Sequence, residues 1–136
     1  MSALAKSPAA GVDLGSTQTA AAALRTFFRI AAAWRLSIGE QTALLGVART
    51  TLYQWKQGKV APLDRHLLER LSHLFAIYAA LQILFPLPTR ADEWLRRAND
   101  APLFGGRPAL DRMLAGQIAD LFVVRQYLDA QRGGKA

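Results

Sequence analysis

The sequence "NDAPLFGGRPALDRM", residues 99–113, contains the residues best suited to hold an anion. Gly105 and Gly106 would let backbone N–H groups approach a phosphate, and Arg107 would add positive charge at the start of a helix. A phosphate loop usually follows a strand and ends in Lys with Ser or Thr, however, and Pro108 removes one N–H group. Nucleotide binding is therefore disfavoured, which leaves a protein-docking corner or a simple turn.

No other set of residues has the spacing of a catalytic or metal site. The sequence has no cysteine, which excludes disulfides, thiolate zinc sites and cysteine nucleophiles. His66 and His73 are seven residues apart, so on one helix they would lie two turns apart, too far to share a metal ion. The acidic residues of the second half lie among arginines, and no serine occurs in a Gly-x-Ser-x-Gly elbow. We predict no enzyme activity, no metal and no cofactor.

The positive charge is concentrated in the first half of the chain. The net charge is +7; residues 1–65 have eight Lys and Arg against three acids (8 − 3 = +5), and residues 66–136 have nine against seven (9 − 7 = +2). A basic patch of this kind attracts nucleic acid phosphates or an anionic membrane surface. Residues 1–18 lack the apolar run of a signal peptide and are expected to form a loose tail, so we predict a cytoplasmic protein.

Helical periodicity runs through most of the chain and strand signals are almost absent, which predicts an all-α fold. The predicted helices cover residues 19–34, 39–45, 49–57, 63–85, 89–98, 108–116 and 117–131. The fourth is the longest, but its uninterrupted apolar part of about fourteen residues is shorter than the ~20 that a membrane span needs. We therefore predict a central core or dimerisation helix. Thr89 and Asp92 have the spacing of a capping box for the fifth helix.

Residues 37–58, "SIGEQTALLGVARTTLYQWKQG", have the pattern of two short helices that cross at a tight corner. Gly46 can take the positive φ that the corner needs, and Val47 is a hydrophobic residue that can pack beneath it. The outward face of the second helix would then present groups that bind bases and phosphates. The predicted DNA-binding residues are Arg49, Thr50, Tyr53, Gln54, Lys56 and Lys59.

This segment resembles the helix-turn-helix of the Xre-like repressors. The matching residues are Gln41, Leu45, Gly46, Val47, Thr51, Leu52, Trp55 and Gly58. Two positions differ, because Thr42 replaces the usual Ala and Ala48 replaces the usual N-cap Ser. An Ala cap costs about 1 kcal/mol relative to Ser, so we expect a slightly weakened motif. The alternative interpretation is a helix pair that only packs against the rest of the protein.

The residues before Pro108 allow two interpretations of the second half's loop. Leu103 and Phe104 could be presented to a partner protein beside the flexible backbone of Gly105 and Gly106. Leu103 and Phe104 could equally plug the core while the glycines make the turn. Physical reasoning from the residues leaves both open.

The sequence from Trp94 to Gly116 resembles the toxin-binding domain of the Xre/MbcA/ParS antitoxin family. The matching residues are Trp94, Leu95, Asn99, Leu103 or Phe104, Gly105, Gly106, Pro108, Leu110, Asp111 and Gly116. The resemblance implies a transcriptional antitoxin that holds an NAD-degrading RES-domain toxin inactive and represses its own operon. The toxin-binding residues that it implies are Asn99, Leu103, Phe104, Gly105, Gly106 and Arg107. Arg132 and Lys135 could reach the toxin's anion-binding cleft or could belong to a frayed solubilising tail.

These observations predict a tail over residues 1–18, a helix-turn-helix DNA-binding domain over 19–62, and a dimerisation helix with a toxin-binding domain over 63–136. The expected partners are a RES-domain toxin, operator DNA with an inverted repeat and a second copy of the chain, without a membrane. A twofold dimer would place its two second helices ~34 Å apart in successive major grooves. The alternative function is a stand-alone helix-turn-helix regulator whose second half only dimerises.

Overall fold

The computed structural model describes residues 16–133, and within that range the chain is all-α, as the periodicity predicted. The helices are α1 (Thr17–Ala33), α2 (Ile38–Leu45), α3 (Arg49–Lys56), α4 (Arg65–Leu84), α5 (Pro88–Glu93), α6 (Ala109–Met113) and α7 (Ile118–Gly133), with a short 3-10 helix at Trp94–Arg96. Residues 1–15 of the predicted tail and Lys135 lie outside the described residues, and α1 begins two residues earlier than predicted.

Polar side chains cap the N-termini of three helices, α1, α2 and α4. The Ser16 hydroxyl accepts a hydrogen bond from the Thr19 N–H at 3.0 Å, and Asp64 accepts one from the Leu67 N–H at 2.9 Å. At the start of α2, Ser37 and Glu40 form a complete capping box, in which each side chain accepts from the other's backbone N–H. These caps satisfy N–H groups that have no partner within their own helix.

The predicted capping box at Thr89 and Asp92 is wrong. Helix α5 begins at Pro88, whose missing N–H and fixed φ suit a first helical position, and no side chain caps it. The Asp92 carboxylate instead accepts a hydrogen bond from Gln82 Nε2 of α4 at 3.0 Å. Asp92 therefore ties α5 to α4 rather than capping α5.

Helix α4 is the centre of the core and packs against α1, α2, α5 and α7. By length and composition alone it is apolar enough to cross a membrane. Its buried side chains Leu71, Leu74, Ile77 and Leu81 are instead covered by other helices of the protein. Helix α1 buries one face, since its Leu24, Phe27 and Ala31 and the adjoining Trp34 are buried.

Two arginines connect the first half of the chain to the second. Arg70 of α4 donates to the Leu44 carbonyl at 3.1 Å and to the Gly116 carbonyl at 2.7 Å. Arg96 donates to the carbonyls of Trp34 at 3.0 Å and Arg35 at 2.8 Å. The two halves are therefore held in one frame by hydrogen bonds as well as by the shared core.

Candidate DNA-binding and partner-binding surfaces

The corner between α2 and α3 has the predicted geometry. Gly46 ends α2 with a φ of 68°, and its N–H donates to the Thr42 carbonyl at 2.7 Å. The guanidinium of Arg70 lies directly against this glycine, so an added Cβ would be 2.9 Å from Arg70 Cζ. Val47 is half-buried and packs against the core, as expected. The backbone conformation therefore favours glycine at the corner, and a larger residue would also displace the guanidinium of Arg70.

Helix α3 has one buried side and one exposed side. Leu52 is fully buried and Trp55 is partly buried against the core. Arg49, Thr50, Tyr53 and Gln54 are exposed, and so is Lys59 in the following segment. Tyr53 is 44% exposed, which is unusual for a large aromatic residue. With Lys56, which is also exposed, the structure therefore places all six predicted DNA-binding residues on the accessible surface at or after α3.

The sixth predicted residue, Lys56, is exposed but is oriented differently from the other five. Its Nζ lies 5.3 Å from the ring centroid of Phe28 on α1, a distance typical of a cation–π contact. The Lys56 side chain therefore points towards α1 and contacts Phe28. The N-cap of α3, Ala48, has extended backbone and no side-chain hydrogen bond, as expected from the missing serine.

The loop of the second half is closed at its base by backbone contacts. An isolated bridge joins Ala98 to Pro108, and the Gly106 N–H donates to the Asn99 carbonyl at 2.8 Å. The Asn99 side chain accepts from the Ala101 N–H at 3.0 Å. Asn99, predicted to bind a toxin, therefore shapes the loop from within.

The same backbone contacts rule out the phosphate cradle already disfavoured by the sequence. The Gly105 N–H donates to the Ala101 carbonyl at 3.1 Å, and the Arg107 N–H donates to the Phe104 carbonyl at 3.0 Å. With the Gly106 N–H also engaged, no N–H group of residues 105–107 is left for an anion. Gly105 and Gly106 have φ values of 57° and 87° and open space where a Cβ would lie. These two glycines adopt the backbone conformation of the turn, and no side chain covers the backbone at this point.

Phe104 is a core residue, which corrects its assignment to an exposed toxin-binding surface. Only 5% of it is exposed. Its ring meets those of Trp94 and Tyr127 edge-on, with centroid distances of 5.9 and 5.3 Å. Leu103, the neighbouring candidate, is half-buried. Of the two interpretations left open by the sequence, the core plug therefore holds for Phe104.

Near its tip the loop has the half-buried Leu103 and the exposed Gly105, Gly106 and Arg107, and we call these four residues the glycine corner. The Arg107 side chain is 77% exposed, and its Nε lies 3.2 Å from an oxygen of Asp111 one helical turn later. A groove of about 250 Å³ runs beside the corner, between Leu103, Arg107 and α6. The corner thus combines two glycines without side chains, one half-buried apolar residue and one cation.

The structure does not bring Arg132 to the glycine corner. Arg132 lies in the last turn of α7, 41% exposed, with its Nη1 3.9 Å from Asp129 Oδ1. It lines a different groove, beside Ile83 and Leu84. Lys135, the other basic residue predicted at this end, lies outside the described residues.

The two histidines have different environments. His66 is exposed, whereas His73 is 7% exposed and lies between α4 and α7. Arg125 Nη1 is 3.2 Å from His73 Nδ1, and Glu69 lies 3.8 Å from its Nε2. Burial, and then the charge of Arg125, lower the pKa of His73 below its usual 6.5, although Glu69 opposes this shift. Within residues 16–133 no cluster of His, Asp and Glu is arranged to hold a metal ion.

Comparison with known proteins identifies both halves. Residues 13–76 match the antitoxin Xre-like helix-turn-helix domain, and residues 80–134 match the antitoxin Xre/MbcA/ParS C-terminal toxin-binding domain. The chain is 53% identical over 115 residues to the uncharacterized protein y4oB of Sinorhizobium fredii (strain NBRC 101917 / NGR234), an alignment that covers 83% of this chain and 86% of that protein. No solved structure matches the chain significantly. With the two domains in this order, the chain belongs to the Xre/MbcA/ParS family of antitoxins.

Proposed function

We propose that this antitoxin acts in the cytoplasm, where it neutralises an NAD-degrading RES-domain toxin and, as a homodimer, represses its own operon by binding an inverted repeat. The observation that supports this most directly is the presence of two separate exposed surfaces on one chain. The first is the outer side of α3, and the second is the glycine corner.

The exposed side of α3 has the chemistry that reads a major groove. Arg49 can form two hydrogen bonds with the edge of a guanine, and Gln54 can form two with an adenine. The hydroxyls of Thr50 and Tyr53 and the ammonium of Lys59 suit phosphate oxygens. The sequence of α3, RTTLYQWK, contains no acidic residue that would repel DNA.

The operator-binding proposal is tested with the double substitution Arg49→Ala and Gln54→Ala. Each bidentate base contact is worth about 1–3 kcal/mol, so we expect the double variant to bind its promoter DNA at least ~30-fold more weakly. The measurement is a gel-shift titration at fixed salt with DNA from upstream of the antitoxin's own gene. Arg90→Ala with Gln126→Ala removes the same side-chain types at exposed positions on α5 and α7 and serves as the control. Equal affinity of both double variants would contradict the assignment of α3.

The toxin-binding proposal depends on the glycine corner, where the Arg107 side chain is 77% exposed. Arg107→Glu reverses the charge at the corner without touching the core. We expect the variant to lose co-purification with the RES-domain protein encoded beside it and to restore toxin-dependent growth arrest and NAD loss in co-expressing cells.

Arg97→Glu is the matched control for Arg107→Glu. Arg97 is 59% exposed and, like Arg107, is paired with an acidic residue four positions away, here Glu93. The two variants should therefore unfold at similar temperatures, and only Arg107→Glu should release the toxin. If both variants still neutralise the toxin, the glycine corner is not its binding surface. Phe104 is unsuitable for this test, because a buried residue affects folding and binding together.

The homodimer is tested by sedimentation equilibrium of the free protein. The most exposed large apolar side chains of the described residues include Ile83 and Leu87, at the end of α4 and just after it, with 62% and 58% exposed. We expect Ile83→Lys to weaken self-association if this end of α4 forms the interface. A monomer in the wild type at operator-binding concentrations would contradict the twofold arrangement.

A further inference from the structure

A cavity of about 560 Å³ lies between α1, the end of α3 and the segment that follows α3. This volume is within the ~300–1,000 Å³ that is typical of small-molecule sites. Its walls are apolar and partly aromatic, and they include Leu24, Phe28, Trp55 and Val60. Neither operator binding by the outer side of α3 nor toxin binding by the glycine corner uses it.

The charged groups around this cavity are all positive. The cavity is lined by Arg25 of α1, by Arg35 just after α1 and by Lys56 of α3. No carboxylate lines it. None of the three forms an ion pair with an acidic side chain within residues 16–133. Lys56 already lies over the Phe28 ring, so cationic and aromatic groups meet in the same wall. An anion attached to an apolar ring would match both.

The inner wall contains a polar group without a partner. Gln41 is 6% exposed and lines the cavity. Its Nε2 donates to the Leu36 carbonyl at 3.0 Å, whereas its buried Oε1 accepts no hydrogen bond from the described residues. Buried acceptors are normally paired, so this oxygen lacks an N–H or O–H donor that the described residues do not supply.

From the cavity, its charges and the unpaired Gln41 oxygen we propose that this site binds a small organic anion: a flat apolar body that carries a carboxylate, sulfonate or phosphate group, together with an N–H or O–H group that can donate to Gln41. The apolar rings of Phe28 and Trp55 would contact the body, and Arg25, Arg35 and Lys56 would pair with the anionic group. A DNA backbone shares the negative charge but has no apolar body to fill a cavity of this kind. The phosphodiester is therefore the alternative that the experiment must separate.

The test uses the full chain and the fluorescent probe 8-anilinonaphthalene-1-sulfonate, which has fused rings and a sulfonate. N-phenyl-1-naphthylamine has the same rings without the charge. We expect the sulfonate probe to bind at one site per chain and to bind more tightly than the neutral probe. Arg25→Gln and Lys56→Gln should each weaken its binding by at least ~5-fold, since each removes a charged contact.

Arg29→Gln is the matched control, because Arg29 is one turn from Arg25 on α1, is exposed, and does not line the cavity. Val60→Asp, which places a negative charge in the wall, should also weaken binding of the sulfonate probe. Circular dichroism should show an unchanged fold for this variant. The proposal is overturned if Arg29→Gln weakens binding as much as Arg25→Gln, or if both probes bind equally. It is also overturned if random-sequence duplex DNA displaces the sulfonate probe, because the cations would then belong to a DNA backbone site.

Discussion

Arg70 is predicted to contribute more to stability than any other charged residue of α4. Its guanidinium donates to the carbonyl of Leu44 at 3.1 Å and to that of Gly116 at 2.7 Å, two segments that are otherwise far apart in the sequence. Both carbonyls are partly buried and would lose a partner if the guanidinium were removed. The substitution Arg70→Met removes the charge and keeps most of the apolar stem.

The magnitude follows from the two hydrogen bonds. A hydrogen bond to a charged group contributes about 1.5–3 kcal/mol, and the partial exposure of Arg70 favours the lower end of that range. We therefore expect Arg70→Met to lower the free energy of unfolding by about 2–4 kcal/mol. Arg70→Lys can reach only one carbonyl at a time and should lose about half as much. The measurement is urea unfolding, followed by both circular dichroism and tryptophan fluorescence.

Arg65→Met is the control, because Arg65 begins the same helix and is exposed. Its free energy of unfolding should lie within about 0.5 kcal/mol of the wild-type value, as is usual for surface substitutions. A loss of that same small size for Arg70→Met would refute the reasoning, since it would mean that water replaces both hydrogen bonds without penalty. A changed slope of free energy against urea would indicate instead that the unfolded state had changed.

Three further predictions concern single residues. Ala48→Ser should raise the free energy of unfolding by about 1 kcal/mol in urea unfolding, because the backbone is already extended and lacks only the capping oxygen. Phe104→Ala should lower it by about 3 kcal/mol and reduce the near-ultraviolet circular dichroism, because it opens a hole beside Trp94 and Tyr127. The lowered pKa of His73 means that the unfolded chain binds a proton first, so thermal stability should fall as the pH drops through 6.5.

Each of these three has a control within the chain. Ala130→Ser places the same hydroxyl at an exposed position inside α7 and should not stabilise. The Phe104 prediction fails if Leu103→Ala, at a half-buried neighbour, costs as much as Phe104→Ala. For the pH dependence, His73→Gln is itself the control, because it should flatten the fall in stability below pH 6.5. Burial raises the pKa of Glu40, but the hydrogen bonds from Arg96 and the Ser37 N–H and the charge of Arg96 outweigh it and hold the pKa below its usual 4.5. The stability that Glu40 contributes is therefore fully present above pH 4.5 and is lost as the pH falls below that value.

The features that depend on neighbours in the sequence were predictable. The corner at Gly46 follows from a glycine and Val47 between two helical patterns, and the exposed side of α3 follows from the spacing of Leu52 and Trp55. The capping box at Ser37 was not predicted, although its partner Glu40 stands at the diagnostic third position. That signal was present in the sequence and could have been used.

The features that depend on distant residues were not predictable. Asp92 has a capping-box spacing, but its carboxylate accepts a hydrogen bond from Gln82 on another helix instead. Whether Phe104 points inward depends on Tyr127, 23 positions later, which supplies the ring that it packs against. Arg70 and Arg96 bind backbone carbonyls, and a carbonyl is present at every residue, so no residue type marks the acceptor.

The burial of Phe104 changes the chemistry that the glycine corner can offer to a toxin. With Phe104 inside and the N–H groups of Gly105 and Gly106 engaged, the corner presents neither an aromatic anchor nor backbone donors. Among the backbone hydrogen bonds of the described residues, the carbonyls of Gly105 and Gly106 accept none. A partner that binds at the corner, as proposed above, would pair best if it brought N–H or O–H donors to those carbonyls and an acidic or polar group to Arg107. Replacing either glycine with alanine would strain a positive φ, so glycine is needed there for the turn.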